Sequence, residues 1–251
     1  MMFSFRSEAI FYLGDFRITN TIIDTLLVDA IIIIASFMLV KSIRIIPGLY
    51  QNTVEMVIQT FYEMTESVAQ EKAAKIFPYF MSFFIFILLA NWSGLLPGVN
   101  SIGFFEKGKL IPLLRSPTSD LNTTLGLALV SVAATHILSI RTVGFKDYLS
   151  RFFSFNPMNL FIGALEIISE ITKVISLSFR LFGNIFAGEV VLLTVSSIFA
   201  FLFPLPFLLL EVVVGLVQAL VFSMLTMAFM AILTIPHHDV SENANKAKHL
   251  L

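Results

Sequence analysis

"SLSFRLFGNIFAGEV", residues 176–190, decides how this chain has to be read. It is apolar except for its two serines, Arg180, Asn184 and Glu189, and it sits inside a proline-free stretch that runs from Met158 to Ala200. As one helix that stretch would be about 60 Å long, roughly twice the hydrocarbon thickness of a bilayer. A segment this long, with a guanidinium and a carboxylate nine residues apart, is neither a soluble core helix nor an ordinary single span. Two arrangements stand on sequence alone: a continuous helix lying strongly tilted, and a helix broken near Gly183 or Gly188 of which only part spans. The tilted form is favoured because over-long apolar helices accommodate by tilting.

The rest of the chain agrees with a membrane setting. Of 251 residues, 57% are hydrophobic and 27 are phenylalanine, and only 13% are charged, about half the share of an ordinary soluble domain. The mean hydropathy is +0.89. A net charge of −1 argues against a nucleic-acid partner. The absence of cysteine removes disulfides, thiolate metal sites and cysteine nucleophiles. No metal or cofactor is expected. The N-terminal "MMFSFRSEAIFYLGDFRITN" mixes charges with apolar residues and does not read as a cleaved signal peptide.

Five stretches are apolar enough to span, at about residues 21–40, 78–96, 121–140, 158–200 and 206–235. The expected fold is therefore an all-α membrane protein, one polytopic domain over residues 1–251. Its last two helices form a long tilted hairpin reversing at "FPLP", residues 203–206. A sixth helix, about residues 50–72, carries Val54, Val57, Ile58 and Phe61 at i, i+3, i+4 and i+7 among polar positions. It is amphipathic and is predicted to lie at the interface or against a partner. With the N-terminus outside, nine Lys and Arg fall in inner segments and five in outer ones, which sets the predicted orientation with the C-terminus inside.

In the hairpin the directions of the ionisable groups follow from 100° per residue. Glu166, Lys173 and Arg180 are spaced by seven and share a face, with Asn184 one turn beyond Arg180. Glu189 falls on the opposite face, so Arg180 and Glu189 do not pair within their helix. Glu211 and Gln218 are again seven apart; Glu211 can approach Glu189 if the turn is asymmetric, and Gln218 is a neighbour for Arg180 or Asn184. An arginine at mid-membrane costs roughly 2.5–3.5 kcal/mol on insertion scales, and its guanidinium cannot escape by losing a proton. It needs an anion or water, whereas a glutamate can be neutralised by protonation. A fixed cation beside proton-accepting carboxylates is what a proton relay requires. Plainer readings stand beside this one. Arg180 is a structural ion-pair partner; Lys173 snorkels to the interface; Glu170 and Lys173 form an i,i+3 surface pair; Asp120 caps the third span. On the same plain footing His136 is a packed or interfacial residue, His237 and His238 are surface residues, and Trp92 is an interface anchor. Gly183 and Gly188 read as sites of close helix approach. Asp24 and Asp29 have no account beyond their place in the first span.

The 176–190 motif closely resembles the signature of the a subunit of rotary ATP synthases. So do "FFIFILLANWSGLLPG" (83–98), "SPTSDLNTTLGLAL" (116–129) and "EVVVGLVQALVFSMLT" (211–226). The resemblance implies a stator subunit that forms two aqueous half-channels against a rotating ring of c subunits. It also implies peripheral-stalk b subunits and the rest of the synthase as partners, in the lipid bilayer of a bacterial plasma membrane or an organelle inner membrane. By resemblance Arg180 is the gate facing the ring and separating the half-channels, and Glu189 and Glu211 are proton stops of the outer one. Asp120 and Asn122 line its mouth. Asn184 and Gln218 are polar neighbours of the arginine, and Lys173 and Glu166 belong toward the inner side. Both outer stops are glutamates here, so the acid–histidine pair of some members is absent. No G-x-x-x-x-G-K-[ST] loop is present, so no nucleotide chemistry is expected of this chain. The rival readings are a self-contained ion transporter, expected to carry internal repeats that are not visible here, and a purely structural membrane subunit.

Overall fold

The computed structural model describes residues 9–13, 16–96, 103–106, 109–145, 148–149, 157–198 and 204–234. Six α-helices carry the architecture: α1 (Asn20–Ser42), α2 (Leu49–Ala69), α3 (Ala73–Ser93), α4 (Leu121–Val143), α5 (Pro157–Ile198) and α6 (Pro204–Leu233). Among the described residues, five stretches are long and apolar enough to cross a membrane, α2 and α3 counting together as one of them. The protein is an all-α membrane protein.

The helix boundaries follow local chemistry. Asp120 caps α4, its carboxylate accepting the backbone N–H of Asn122 at 2.9 Å. Gly144, at φ +99°, closes the other end of that helix in a conformation that favours glycine. α6 begins at Pro204 rather than turning there, so Pro204, Leu205 and Pro206 form its first turn, where a missing N–H costs no helical bond. The reversal predicted at 203–206 therefore lies ahead of Pro204, and residue 203 is outside the described residues, as are His237 and His238. α3 starts at Ala73 and takes Pro78 into its second turn. α2 and α3 are joined by a 3-10 turn, Gln70–Lys72, in which Gln70 adopts φ +48°.

Two short antiparallel hairpins, β1–β2 (Ala9–Leu13 with Phe16–Thr19) and β3–β4 (Gly103–Glu106 with Lys109–Pro112), were not expected from the sequence. Each brackets two residues of sequence containing a glycine, Gly14-Asp15 and Lys107-Gly108, flanked by aromatic and β-branched residues. Strands of four or five residues carry little pattern beside apolar runs of about twenty.

α3 is the hub, packed against α1, α2 and α6, while α5 packs against α4 and α6. The centre is dry and aromatic: Phe83, Ile87, Leu181 and Phe222 belong to one buried cluster, and Ile76, Phe80, Met227 and Met230 to a second. α2 contributes Phe61, whose ring lies 5.6 Å from that of Phe80 and 4.9 Å from that of Phe84. Its buried positions continue through Thr65 and Ala69, whereas Val57 and Ile58 of the predicted stripe stay exposed. Outward faces carry exposed Leu, Ile, Val and Phe, most densely on α1, where Ile33, Ile34, Phe37 and Met38 are all open. Such surfaces suit a hydrocarbon solvent and would be costly in water.

α5 is continuous through 42 residues, so the alternative of a break near Gly183 or Gly188 is excluded. The two glycines do different things. A Cβ on Gly183 would meet nothing of this chain within 4 Å among the described residues, whereas one on Gly188 would collide with the carboxyl of Glu211 on α6. That contact sets the register of the hairpin and brings the two glutamate-bearing turns together.

Candidate functional site

Two spaces that the hairpin's charged residues border share no lining residue. The first is a cavity of about 180 Å³ at the end where α3 finishes and α6 starts. Glu189 from α5, Glu211 from α6, Asn91 from α3, and Arg115 and Ser116 from the segment before α4 all line it. That segment is seated on α3 because position 94 is glycine: a Cβ there would lie 2.7 Å from the Cβ of Ser116. The Ser116 hydroxyl donates to the Ala90 carbonyl at 2.8 Å. Seated in this way, Arg115 becomes a buried cation, 5% exposed, donating from Nη2 to Glu189 Oε2 at 3.2 Å and from Nε to the Ser119 hydroxyl at 3.0 Å. Glu189 is 23% exposed and Glu211 5%.

Four buried polar atoms have no protein partner among the described residues, Asn91 Oδ1, Glu211 Oε2, Gln218 Nε2 and Ser223 Oγ, and Asn91 and Glu211 line the cavity. Three of them belong to α6. Unpaired buried polar atoms cost about 1–3 kcal/mol each, so those of Asn91 and Glu211 at the cavity mark a place made for water or a mobile proton.

The second space is an open groove of about 490 Å³ lined by Lys173, Ser176 and Arg180 of α5 and by Leu225 and Phe229 of α6. Arg180 is exposed, and its one hydrogen bond among the described residues is a long one, 3.4 Å to the Ser176 hydroxyl. No carboxylate of the described residues pairs with it. Its structural ion-pair reading therefore has no partner here. One turn beyond, Asn184 donates to Gln218 Oε1 at 2.7 Å, so Gln218 neighbours Asn184 and not Arg180. Lys173 does not merely snorkel: its ammonium is 2.7 Å from Glu170 and 4.5 Å from the centre of the Phe229 ring. Nor is Glu170 simply its surface partner, since the other carboxylate oxygen lies 3.5 Å from His136 Nε2 on α4. Glu166, one turn before Glu170, is partly buried.

The predicted residues thus separate into groups. Glu189 and Glu211 share the cavity, Lys173 and Arg180 share the groove, and Asn184 and Gln218 join the two helices between them. Asp120 and Asn122 do not line the cavity; Asp120 serves α4 as its N-cap. Trp92, half-buried at the end of α3, donates its indole N–H to the Val212 carbonyl of α6 at 3.1 Å. Two residues were missed. Arg115 is one, and only its burial reveals it. Asp24 is buried against α3 and accepts the Ser93 hydroxyl at 2.8 Å; its signal was a carboxylate inside an apolar run.

Comparison with known proteins gives this sequence relatives. The family model described as ATP synthase A chain matches residues 22–231. The chain is 32% identical to ATP synthase subunit a of Moorella thermoacetica, covering 90% of this chain and 95% of that protein. It is likewise 32% identical to ATP synthase subunit a 2 of Pelobacter propionicus and to ATP synthase subunit a of Legionella pneumophila, each over 90% of this chain and 91% of the relative.

Proposed function

The chain belongs to the ATP synthase subunit a family, proton-translocating and multi-pass in the membrane, and on that premise we propose that it is the stator against which a ring of c subunits turns. One observation carries the reading: Arg180 is exposed on the outer surface of the hairpin, with no carboxylate partner among the described residues. A permanent cation cannot face lipid there at tolerable cost, so its counter-charge comes from a partner whose carboxylates pass in front of α5 and α6.

The mechanism follows from the two separate spaces. A proton enters from the outer side past Asp120 and Asn122 into the cavity, is taken up by Glu211 and Glu189, and is handed to an ionised carboxylate of the ring. The neutral site then rotates away through lipid. When the site returns from the other side it meets the groove, where Arg180 attracts the carboxylate and favours release of its proton. The proton leaves inward past Lys173 and Glu166. The Asn184–Gln218 bond stands between the two spaces and helps keep water from joining them. A stator also needs an anchor against torque, which the peripheral-stalk b subunits supply. The N-terminus lies outside and the C-terminus inside, in a bacterial plasma membrane. The coupling ion, H⁺ or Na⁺, is chosen by the ring's own site.

The test is reconstitution in vesicles with and without the ring, comparing wild type with Arg180→Ala. Ring-dependent proton flux in wild type and loss of ATP-driven pumping in Arg180→Ala are expected. Flux through this chain alone, or full coupled pumping in Arg180→Ala, refutes the proposal.

A further inference from the structure

Behind the groove lies a string of proton-exchanging groups that the mechanism above does not use. His136 on α4 is held at both ring nitrogens. Its Nδ1 is 2.9 Å from the Tyr148 hydroxyl, and its Nε2 is 3.5 Å from Glu170 Oε2 on α5. The phenol ring stands edge-on to the imidazole, at 75° and 5.9 Å between centres, which holds the imidazole in place. The other oxygen of Glu170 is bound by Lys173 at 2.7 Å, and Lys173 lines the groove together with Arg180. Lys173 thus ties the groove to Glu170, and from Glu170 the string crosses the α4–α5 contact to His136 and on to Tyr148 in the segment that follows α4.

We infer that His136, with Glu170 and Tyr148, carries protons from the Arg180 groove to the inner surface. The inference rests on the stator reading proposed above. Each member has the chemistry for it. Lys173 and Arg180 only donate, so they hold the anionic end without accepting. A carboxylate accepts a proton. A neutral imidazole accepts at one nitrogen and releases at the other, which moves a proton about the width of the ring without moving the residue. A proton arriving on Glu170 passes to His136 Nε2, the proton on Nδ1 passes to the Tyr148 oxygen, and the phenol releases its own proton to inner water. One proton enters, one leaves, and the imidazole and phenol reorient before the next. The groups facing His136 from the packed elements are Glu170 of α5 and Tyr148, with Lys173 behind Glu170 and Glu166 one helical turn before it.

A stitch that merely ties α4 to α5 would use the same contacts, so the test must separate transport from assembly. The complete synthase is reconstituted in liposomes, and proton flux per assembled complex is measured for wild type, His136→Gln and Tyr148→Phe. His136→Gln keeps a polar side chain of similar reach but cannot take up a proton; Tyr148→Phe removes a single hydroxyl. Each is expected to lower flux per assembled complex at least fivefold, and added imidazole buffer is expected to recover part of the loss in His136→Gln. Unchanged flux per assembled complex in both variants, or a fall that only tracks lost assembly, overturns the inference. Wild-type flux that does not require the ring would instead defeat the stator reading itself.

Discussion

The Arg115–Glu189 pair gives the sharpest quantitative test of the outer cavity. At 3.2 Å, and with an effective dielectric near 20, the attraction is about 5 kcal/mol. Glu189 keeps some contact with the cavity and Arg115 keeps its bond to Ser119, so the cost of breaking the pair falls toward the lower end of the buried range, about 3 kcal/mol. The two single substitutions are not equivalent. Glu189→Gln strands a guanidinium that is 5% exposed and cannot deprotonate. Arg115→Met strands a carboxylate that can neutralise itself with a proton. Glu189→Gln is therefore expected to cost about 3 kcal/mol and Arg115→Met about 1–2 kcal/mol, with the double variant no worse than Glu189→Gln alone. The assay is a double-mutant cycle on unfolding free energies of the purified chain, titrated with SDS from mild detergent. A coupling energy below about 0.5 kcal/mol, or a larger loss for Arg115→Met than for Glu189→Gln, would refute the placement of a buried, paired arginine beside the relay.

Two further outcomes follow from the backbone. Gly188→Ala places a methyl group against the Glu211 carboxyl; the end of that side chain can move aside, and alanine favours a helix by about 1 kcal/mol over glycine. Stability is expected to change little while proton flux through the assembled complex falls at least tenfold, so wild-type flux would show that the position of Glu211 does not matter. Gln70→Gly relieves a non-glycine residue at φ +48° and is expected to stabilise the α2–α3 turn by about 1 kcal/mol, read as a rise in unfolding midpoint; an unchanged or lower midpoint counts against strain at that residue.

Much of the architecture was legible because the bilayer enforces it. A run of about twenty apolar residues has few alternatives to a spanning helix, since backbone polar groups in hydrocarbon must be satisfied internally. The site was legible only in part. Arg180 and Glu189 stood out as charges in an apolar run, and helical phase alone showed that they face apart. What phase could not show is what each meets. The spacing of Asn184 and Gln218 made their contact one option among two, and only packing selected it. Nor could phase show that the Trp92 N–H is bonded to the Val212 carbonyl. The hairpins were not legible because strands of four or five residues carry too little pattern to compete with long apolar runs.

By itself, then, the sequence determined the all-α membrane class, the over-long hairpin and the identities of the charges that the membrane cannot ignore. Those are properties of composition and period, which act within one helix. The partners of those charges were decided by tertiary structure: Arg115 on Glu189, Glu211 against Gly188, His136 on Glu170, and Arg180 left open. Pairing depends on how helices far apart in the chain are rotated and set in depth against one another. Here small residues at Gly94, Gly188 and Gly215 govern that fit, and their consequence appears only once the opposing side chains are in place.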